Sequence, residues 1–171
     1  MPLTLLVASD SHGRADRLAL AVKRADPAML LFLGDGLRDL SALPPQIPQC
    51  AVCGNCDWGT RADAPPVRVE EIGGYRLYMT HGHLQGVKST LDVAVKNAVC
   101  AEADVLLYGH THVPFEKTYP RGTKIGDTCI KKPLLVLCPG SIGAPPDGIP
   151  RFATLTLLQS GILAGFGQLS Q

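Results

Sequence analysis

The chain has 171 residues, of which 46% are hydrophobic and 18% are charged, and its formal net charge at pH 7 is +1. This composition argues against a disordered chain, and the near-neutral charge gives no strong sign of nucleic-acid binding. A chain of this length is most simply one domain, and we expect that domain to cover residues 1–171. No apolar run is long enough to span a bilayer, so we expect no membrane partner and a cytoplasmic location.

Six short apolar runs predict strands, and each run is followed by small and polar residues. Continuous apolar runs bounded by glycine are typical of strands that are buried on both faces. The first run continues directly into Asp10 and no positive charge precedes it, which favours a strand over a signal peptide. The runs are Leu3–Ala8, Met29–Leu33, Gln49–Cys53, Tyr75–Thr80, Val105–Tyr108 and Leu134–Cys138.

Helices are predicted in three of the segments between these runs. Arg14–Arg24 has apolar residues at helical spacing along one face. Ser89–Glu102 shows the same periodicity, and it begins with a capping box in its aspartate variant, Ser89-x-x-Asp92. A short helix near Leu37–Leu43 is expected to stop at the two prolines that follow it.

Three further pairs of runs are typical of hairpins, so the second half of the chain is richer in strands than the first, βαβ-like half. Strands and helices in this arrangement predict a layered α/β fold, in which sites form beyond the carboxyl ends of the strands. The predicted pairs are Val67–Ile72 with Tyr75–Thr80, Phe152–Leu158 with Ile162–Phe166, and Val113–Tyr119 with Thr128–Lys132. Their exposed edges offer a way for two copies to pair across a two-fold axis into a homo-oligomer.

All five histidines lie directly after predicted strands, in three short motifs. Asp10, Asp35 and Asn55 lie at similar strand ends. This concentration of imidazole, carboxylate and amide groups predicts a metal centre. The histidine motifs are Asp10-Ser11-His12, His81-Gly82-His83 and Gly109-His110-Thr111-His112.

Two of these motifs hold ligands that are two residues apart. In an extended segment such positions point the same way, so Asp10 and His12 are expected to face one site, and the same holds for the pair in Gly-His-Thr-His. Seven ligands are more than one metal ion needs, whereas two metals that share a bridging carboxylate would each receive four protein ligands. The seven predicted ligands are Asp10, His12, Asp35, Asn55, His81, His110 and His112.

The charge of such a centre favours an anionic substrate. Two divalent ions, two aspartates and a bridging hydroxide leave a net charge of about +1 in a crevice of low dielectric. Phosphate esters fit this charge, and they also fit two metals roughly 3.5–4 Å apart that clamp the attacking and leaving oxygens. The imidazole-rich ligand set favours Mn, Fe, Zn, Ni or Co over Mg or Ca.

The order of these motifs resembles that of the calcineurin-like metallophosphoesterases. The residues within the motifs and the chain length are similar to those of the small prokaryotic branch of single-domain phosphodiesterases. The motifs are Asp-x-His, Gly-Asp, Gly-Asn-x-Asp, His-Gly-His and Gly-His-Thr-His, and they span residues 9–112. The resemblance implies a four-layer αββα sandwich, in which helices flank two mixed β-sheets. It also implies a small phosphate-ester substrate, attacked in line by a hydroxide that bridges two metals, with manganese the favoured metal.

The resemblance further assigns the metal ligands and leaves the catalytic residues more open. Asp57 is a candidate catalytic residue, for which supporting a ligand or stabilising the loop is favoured over binding a metal, and His83 would contact phosphate or orient a metal ligand. Many members of the family have histidine where this chain has Cys56, and that histidine acts as general acid or phosphate binder. We therefore expect weak protonation of the leaving group and a preference for good leaving groups. The implied ligand sets are Asp10, His12, Asp35 and His112 for one metal, and Asp35, Asn55, His81 and His110 for the other.

Other functions and roles remain open at this point. The run Cys50-x-x-Cys53-x-x-Cys56 invites an iron–sulfur or zinc interpretation, but a fourth cysteine at suitable spacing is missing and burial in a strand is favoured. A protein-binding scaffold of the same fold, similar to a retromer-complex subunit, would be expected to lack ligands that this chain has. Trp58 and Tyr108 could stack on a nucleobase, although packing is the favoured role for both.

Overall fold

The computed structural model describes residues 1–59 and 64–169. This part of the chain has two α-helices, α1 (Ala15–Ala25) and α2 (Asp92–Cys100), and two short 3-10 helices, Leu37–Ala42 and His83–Gln85. None of these helices has the length and apolar character that a membrane crossing requires. The strands are β1 (Leu3–Ala8), β2 (Met29–Phe32), β3 (Gln49–Ala51), β4 (Val67–Ile72), β5 (Tyr75–Thr80), β6 (Val105–Tyr108), β7 (Pro114–Tyr119), β8 (Lys124–Ile125), β9 (Thr128–Cys129), β10 (Leu134–Pro139), β11 (Arg151–Leu158) and β12 (Gly161–Gln168).

Ten of these strands form two mixed sheets. The first sheet has the order β12-β11-β1-β2-β3, in which β1, β2 and β3 are parallel and the other two strands are antiparallel to their neighbours. The second has the order β4-β5-β6-β10-β7, with a parallel centre of β5, β6 and β10 and antiparallel edges. The carboxyl ends of the parallel strands in each sheet therefore lie along one edge.

The two sheets pack face to face, and a helix covers the outer face of each. Successive residues of a strand point to opposite faces, so Leu5 and Val7 of β1 enter the core between the sheets, while Leu6 and Ala8 face α1. On the other side, α2 covers the outer face of the second sheet. The predicted four-layer αββα sandwich is confirmed.

The boundaries of α1 agree with the prediction to within one residue at each end. Leu18, Ala21 and Val22 are buried at the spacing of one helical face. The helix ends where Asp26 takes a left-handed conformation with φ of 43° and donates its amide N–H to the carbonyl oxygen of Val22.

The predicted capping box of α2 is wrong. The helix begins at Asp92, three residues after Ser89, and no side chain caps it. The amide groups of Ser89 and Thr90 instead donate to the carbonyl oxygen of Gly86, so both residues belong to a turn. Because that turn uses Ser89, the helix can start only after it.

The predicted hairpin of Val113–Tyr119 with Thr128–Lys132 is also wrong. Strand β7 pairs with β10, and β9 pairs only with β8 within the described residues. Every residue of β10 is buried, so this strand needs a neighbour on both edges, and β6 supplies only one of them. The other two predicted hairpins, β4 with β5 and β11 with β12, are confirmed.

Candidate metal centre

The loops that follow β1, β2, β3, β5 and β6 meet at one edge of the sandwich, and they bring the seven predicted ligands together in two groups. In the first group, Nε2 of His112 lies 3.0 Å from Oδ1 of Asp10. Nε2 of His12 lies 3.7 Å from the same oxygen and 3.4 Å from Nε2 of His112. The same His12 nitrogen is 4.0 Å from Oδ2 of Asp35.

The second group is centred on His81. Its Nε2 lies 3.3 Å from Oδ2 of Asp35, 3.2 Å from Oδ1 of Asn55 and 3.1 Å from Nδ1 of His110. One oxygen of Asp35 thus approaches a histidine of each group. These contacts place Asp35 between the two groups, where a bridging ligand would lie.

In their neutral form, which is the form that binds a metal ion, two of the histidines turn unprotonated nitrogens toward the centre. Nδ1 of His81 lies 2.7 Å from the carbonyl oxygen of Leu33, and Nδ1 of His112 lies 2.8 Å from that of Ala144. A carbonyl oxygen only accepts hydrogen bonds, so each Nδ1 carries the proton, and in the neutral ring Nε2 carries a lone pair. The Nε2 of His81 therefore faces Oδ1 of Asn55 as one acceptor faces another. A cation between such atoms would satisfy both.

Asp10 shows the same need for a cation. Its Oδ2 accepts hydrogen bonds from the hydroxyl of Ser9 and from the amide N–H of His110. Its Oδ1 is buried and points toward the histidines, yet it accepts no hydrogen bond from the described residues. Buried carboxylate oxygens without a donor are rare in folded proteins. The residues present therefore fit a metal ion at this oxygen.

The electrostatics of the centre keep both carboxyl groups ionised. Burial would raise the pKa of Asp10, but His112 and His12 outweigh it and the pKa is well below its usual range. For Asp35, burial likewise acts upward, and contacts with His81 and with the amide of Cys56 lower the pKa to about 2. Two negative charges are thus held close to the lone pairs of several imidazole rings.

The histidines differ in the direction of their pKa shifts. Burial alone would lower the pKa of His81, but Asp35 and Asp10 raise it above its ordinary value. Contact with Asp10 raises the pKa of His112. Burial and the nearby charge of His81 lower the pKa of His110 to about 4. The carboxylates thus favour protonation of His81 and His112, and a metal ion would have to displace these protons in order to bind.

The expectation that the paired ligands lie in extended segments is wrong. Five of the seven predicted ligands have positive φ, and only two other non-glycine residues in the described chain share this feature. The left-handed region costs a non-glycine residue on the order of 1–3 kcal/mol, and such residues cluster at functional sites. The ligands therefore converge through backbone turns, with φ of 56° at Asp10, 45° at His12, 57° at Asp35, 67° at His110 and 60° at His112.

Asp57 braces the loops that carry Asp35 and Asn55. Its buried carboxylate accepts amide N–H groups from Asp35, Gly36, Leu37 and Gly54 at 2.7–2.9 Å. Four charge-assisted hydrogen bonds hold these loops in place. This geometry favours the loop-stabilising role over direct contact with substrate.

Two further residues brace the loop after β1, and their roles were missed in the sequence. Asp39 accepts hydrogen bonds from the hydroxyl of Ser11 and the amide of Gly13. The hydroxyl of Ser141 donates to the carbonyl oxygen of Asp10 at 2.9 Å. Both contacts join distant parts of the chain, so no local motif signals them.

The other two candidate catalytic residues lie beside the centre. The ring of His83 is 5.4 Å from that of His81, and its buried Nδ1 has no hydrogen-bond partner in the described chain. Burial lowers the pKa of His83. Cys56 is exposed, and its sulfur lies within 4.8 Å of ligand atoms of His12 and Asp35. Partial desolvation by the surrounding loops and the nearby Asp35 carboxylate raise the pKa of this thiol.

The three clustered cysteines occupy different environments. Cys50 packs against the core between the sheets, with its sulfur 3.9 Å from that of Met79. Cys53 packs against the core beneath α1, and Cys56 is exposed at the centre. Among residues 1–59 and 64–169, no potential metal-binding group contains more than one cysteine. Packing is therefore the favoured role for Cys50 and Cys53.

The two aromatic residues singled out in the sequence lie in opposite environments. Tyr108 is 4% exposed and packs in the core beneath α2, as expected. Trp58 is 85% exposed, so the packing role predicted for it is wrong. The loop that carries Trp58 is held by Asp57 and leaves the indole in solvent.

Comparison with known proteins is consistent with this geometry. Residues 3–160 match the family model of the calcineurin-like phosphoesterase superfamily domain. The chain is 33% identical over 112 residues to the probable metallophosphoesterase YsnB of Bacillus subtilis, a match that covers 65% of each chain. It is 28% identical over 189 residues to the phosphodiesterase YfcE of Escherichia coli K12, which covers 95% of this chain and 90% of YfcE.

Solved structures share the fold. A predicted phosphoesterase from Streptococcus pneumoniae TIGR4 superposes with a TM-score of 0.73 at 28% identity, covering 98% of this chain and 90% of that one. Vacuolar Protein Sorting 29 from Cryptosporidium parvum superposes with a TM-score of 0.69 at 16% identity, and the match covers 99% of both chains. The second likeness concerns the fold alone.

Proposed function

The chain belongs to the calcineurin-like phosphoesterase superfamily, in its small prokaryotic branch, and from this premise we propose that it hydrolyses phosphodiesters with a two-metal centre. The proposal includes a single domain over residues 1–171. It also includes a cytoplasmic location, because six free cysteines suit a reducing compartment.

One observation carries the proposal: ligand atoms of histidine, asparagine and aspartate crowd together at the centre, and the neutral histidine rings place acceptor next to acceptor. Nε2 of His81 lies 3.2 Å from Oδ1 of Asn55, and Oδ1 of Asp10 is buried without a donor among the described residues. Cations are the chemical partners that such atoms lack. In our proposal the first metal is held by Asp10, His12, Asp35 and His112, and the second by Asp35, Asn55, His81 and His110.

The donor set favours two borderline divalent ions over harder ones. Imidazole nitrogens suit manganese, iron, zinc, nickel and cobalt, whereas magnesium and calcium prefer oxygen ligands alone. We propose manganese as the first metal to test. When bound, the two ions would supply Lewis-acid charge to a phosphate group and lower the pKa of water beside it.

The protein's own groups would orient the ester and manage the leaving-group proton. His83 offers a ring nitrogen beside the second ligand group, where a phosphate oxygen would lie. Burial lowers the pKa of His83, which favours the neutral ring. In the metal-free protein the pKa of Cys56 is raised, and a thiol is a weak acid for the leaving group. We therefore expect the rate to fall as the leaving-group pKa rises across a series of aryl esters, and a flat series would contradict this role.

The scaffold alternative is less well supported. A protein-binding member of the fold without catalytic activity would have no need of a complete ligand set. Here all seven predicted ligand positions are filled, and the ligand atoms of the two groups lie within reach of common points. No observation in the described chain specifically favours the scaffold role.

The proposal is tested by hydrolysis of bis(p-nitrophenyl) phosphate after removal of metals with a chelator. We expect no turnover in the metal-free protein, and turnover that rises as Mn²⁺ is added up to two equivalents. Asp35→Asn should abolish this activity, while Glu116→Gln, the same change at an exposed carboxylate on β7, should preserve it. A folded protein that stays inactive with every divalent ion tested would contradict the proposal.

A further inference from the structure

Trp58 stands out among the residues around the centre, because it is the only tryptophan of the sequence and is 85% exposed. Single exposed apolar residues are common in proteins and need no explanation by themselves. The position of this one is unusual. It follows Asp57 directly and comes three residues after the predicted ligand Asn55.

The loop beneath Trp58 is firmly anchored. The buried carboxylate of Asp57 accepts the amides of Asp35 and Gly54, and the amide of Asp57 donates to the carbonyl oxygen of Gly54. Consecutive Cα atoms are about 3.8 Å apart, so the Cα of Trp58 lies within roughly 11 Å of that of Asn55. The backbone that carries Trp58 is therefore held close to that of Asn55, and its side chain is exposed to solvent.

Exposed apolar side chains also follow two other ligand motifs. Leu84 is 65% exposed and follows His83, and Val113 is 54% exposed and follows His112. With Trp58, these residues place apolar surface beside three of the loops that build the charged centre. We call these three residues the apolar rim.

A positive charge lies in the same loop as Leu84. Lys88 is exposed on the turn that begins at Gly86. A ligand that satisfies all of these features carries an anionic phosphate and a flat apolar group. A nucleobase joined to phosphate through a sugar has this combination.

We propose that Trp58 is a specificity-determining residue that stacks on the nucleobase of a nucleotide phosphodiester bound at the metal centre. The inference rests on the proposed function and names its substrate class. Stacking of one base on an aromatic side chain typically contributes a factor of roughly 5 to 150 in affinity. An indole that is 85% exposed on an anchored loop is well suited to this contact.

The fluorescence of Trp58 tests the contact without any reaction. Because no other tryptophan is present, all indole emission comes from this position. Adenosine 5′-monophosphate, added to the Zn²⁺-loaded protein, should quench the emission to a saturating level. Ribose 5-phosphate, which has the same sugar and phosphate but no base, should leave it nearly unchanged. Equal responses to both compounds would overturn the proposal, because Trp58 would then report only phosphate binding.

Kinetics test its consequence for specificity. We expect Trp58→Ala to lower kcat/KM about tenfold for thymidine 5′-(p-nitrophenyl phosphate), and to leave kcat/KM for methyl p-nitrophenyl phosphate unchanged. Trp58→Phe should retain most of the preference for the nucleotide. Phe166→Ala, which removes an exposed aromatic ring from β12, serves as the matched control and should change neither ester.

The outcomes separate this inference from the proposed function. If the wild-type protein hydrolyses neither ester with any divalent ion, both the function and the inference are overturned. If it hydrolyses both, and Trp58→Ala changes them equally or not at all, the two-metal phosphodiesterase stands and the stacking role of Trp58 is wrong.

Discussion

At the scale of single residues, charged groups that lie behind the ligands decide the geometry of the centre. Asp57 is the clearest case, because its buried carboxylate accepts four amide N–H groups from two ligand-bearing loops. Such a residue acts through the backbone of Asp35 and does not need to contact the substrate.

We predict that Asp57→Asn destabilises the protein by roughly 2–4 kcal/mol, because an amide group would turn N–H donors toward backbone N–H donors and leave them unpaired. Urea unfolding of the metal-free variant measures this loss. Asp147→Asn, the same change at an exposed carboxylate, should cost much less. A variant of Asp57 with wild-type stability would show that the four hydrogen bonds contribute little.

The raised pKa values of His81 and His112 predict that protons compete with metal. Above its raised pKa each ring is neutral and ready to bind, and below it the metal must displace a proton. Apparent Mn²⁺ affinity should therefore fall between pH 8 and pH 6, by up to about tenfold per pH unit for each proton displaced. His110, with a pKa lowered to about 4, should not contribute in this range.

Titration calorimetry at the two pH values, in buffers of different ionisation enthalpy, counts the released protons directly. Equal affinity at pH 6 and pH 8, with no proton release, would contradict this reading of the two histidines.

At the scale of elements, the close approach of two loops fixes the distance between ligands. Gly34, after β2, has φ of 94°, and a Cβ atom placed there would lie 2.6 Å from the backbone nitrogen of Gly54, after β3. Such a distance is shorter than real Cβ contacts allow, and the neighbour is backbone that cannot rotate away. Only glycine at position 34 lets Asp35 and Asn55 lie in the same group.

We predict that Gly34→Ala separates the two loops and weakens metal binding at least tenfold, besides lowering stability. Gly74→Ala provides a matched control, since Gly74 has a similar φ of 84° but open space around it. Both changes incur the same conformational cost, so a difference in Mn²⁺ affinity between them isolates the steric clash. Equal affinities would show that the approach of the loops does not position the ligands.

The sequence predicts a strand well where a local apolar run marks it. It predicts strand pairing poorly where the two strands lie far apart in the sequence. The run Tyr75–Thr80 is a short apolar segment with glycine close to each end, and its strand has the predicted ends. The partner of β7 is a strand fifteen or more residues away, and it is chosen by the burial of β10, which no local pattern reveals. The start of α2 was misplaced because Ser89 could serve a turn as well as a cap.

The same division holds within the centre. The types of ligand could be predicted because all five histidines gather at strand ends together with Asp10, Asp35 and Asn55, a combination typical of metal centres. The left-handed backbone at Asp10 and His12 could not, because neither residue is a glycine and the conformation is imposed by partners elsewhere. Those partners include Asp39 and Ser141, which are 28 and 131 positions from the residues they bond.

At the scale of the whole molecule, the sandwich places one half of the centre on each sheet. Asp10, Asp35 and Asn55 follow strands of the first sheet, and His81 and His110 follow strands of the second. Metals bound by these residues would connect the two sheets at the end of the sandwich where the ligand-bearing loops meet. Because Asp35 contacts a histidine of each ligand group, we propose one coupled pair of ions and not two separate sites.

The most direct test of that claim counts the metals and measures their coupling. The metal-free protein is loaded with Mn²⁺, the bound metal is quantified, and the electron paramagnetic resonance spectrum is recorded. We expect two ions per chain and the multiline spectrum of an exchange-coupled pair. Asp35→Asn should lose the coupling, and Glu116→Gln should keep it. One ion per chain, or two ions with only the six-line signal of isolated Mn²⁺, would contradict the account.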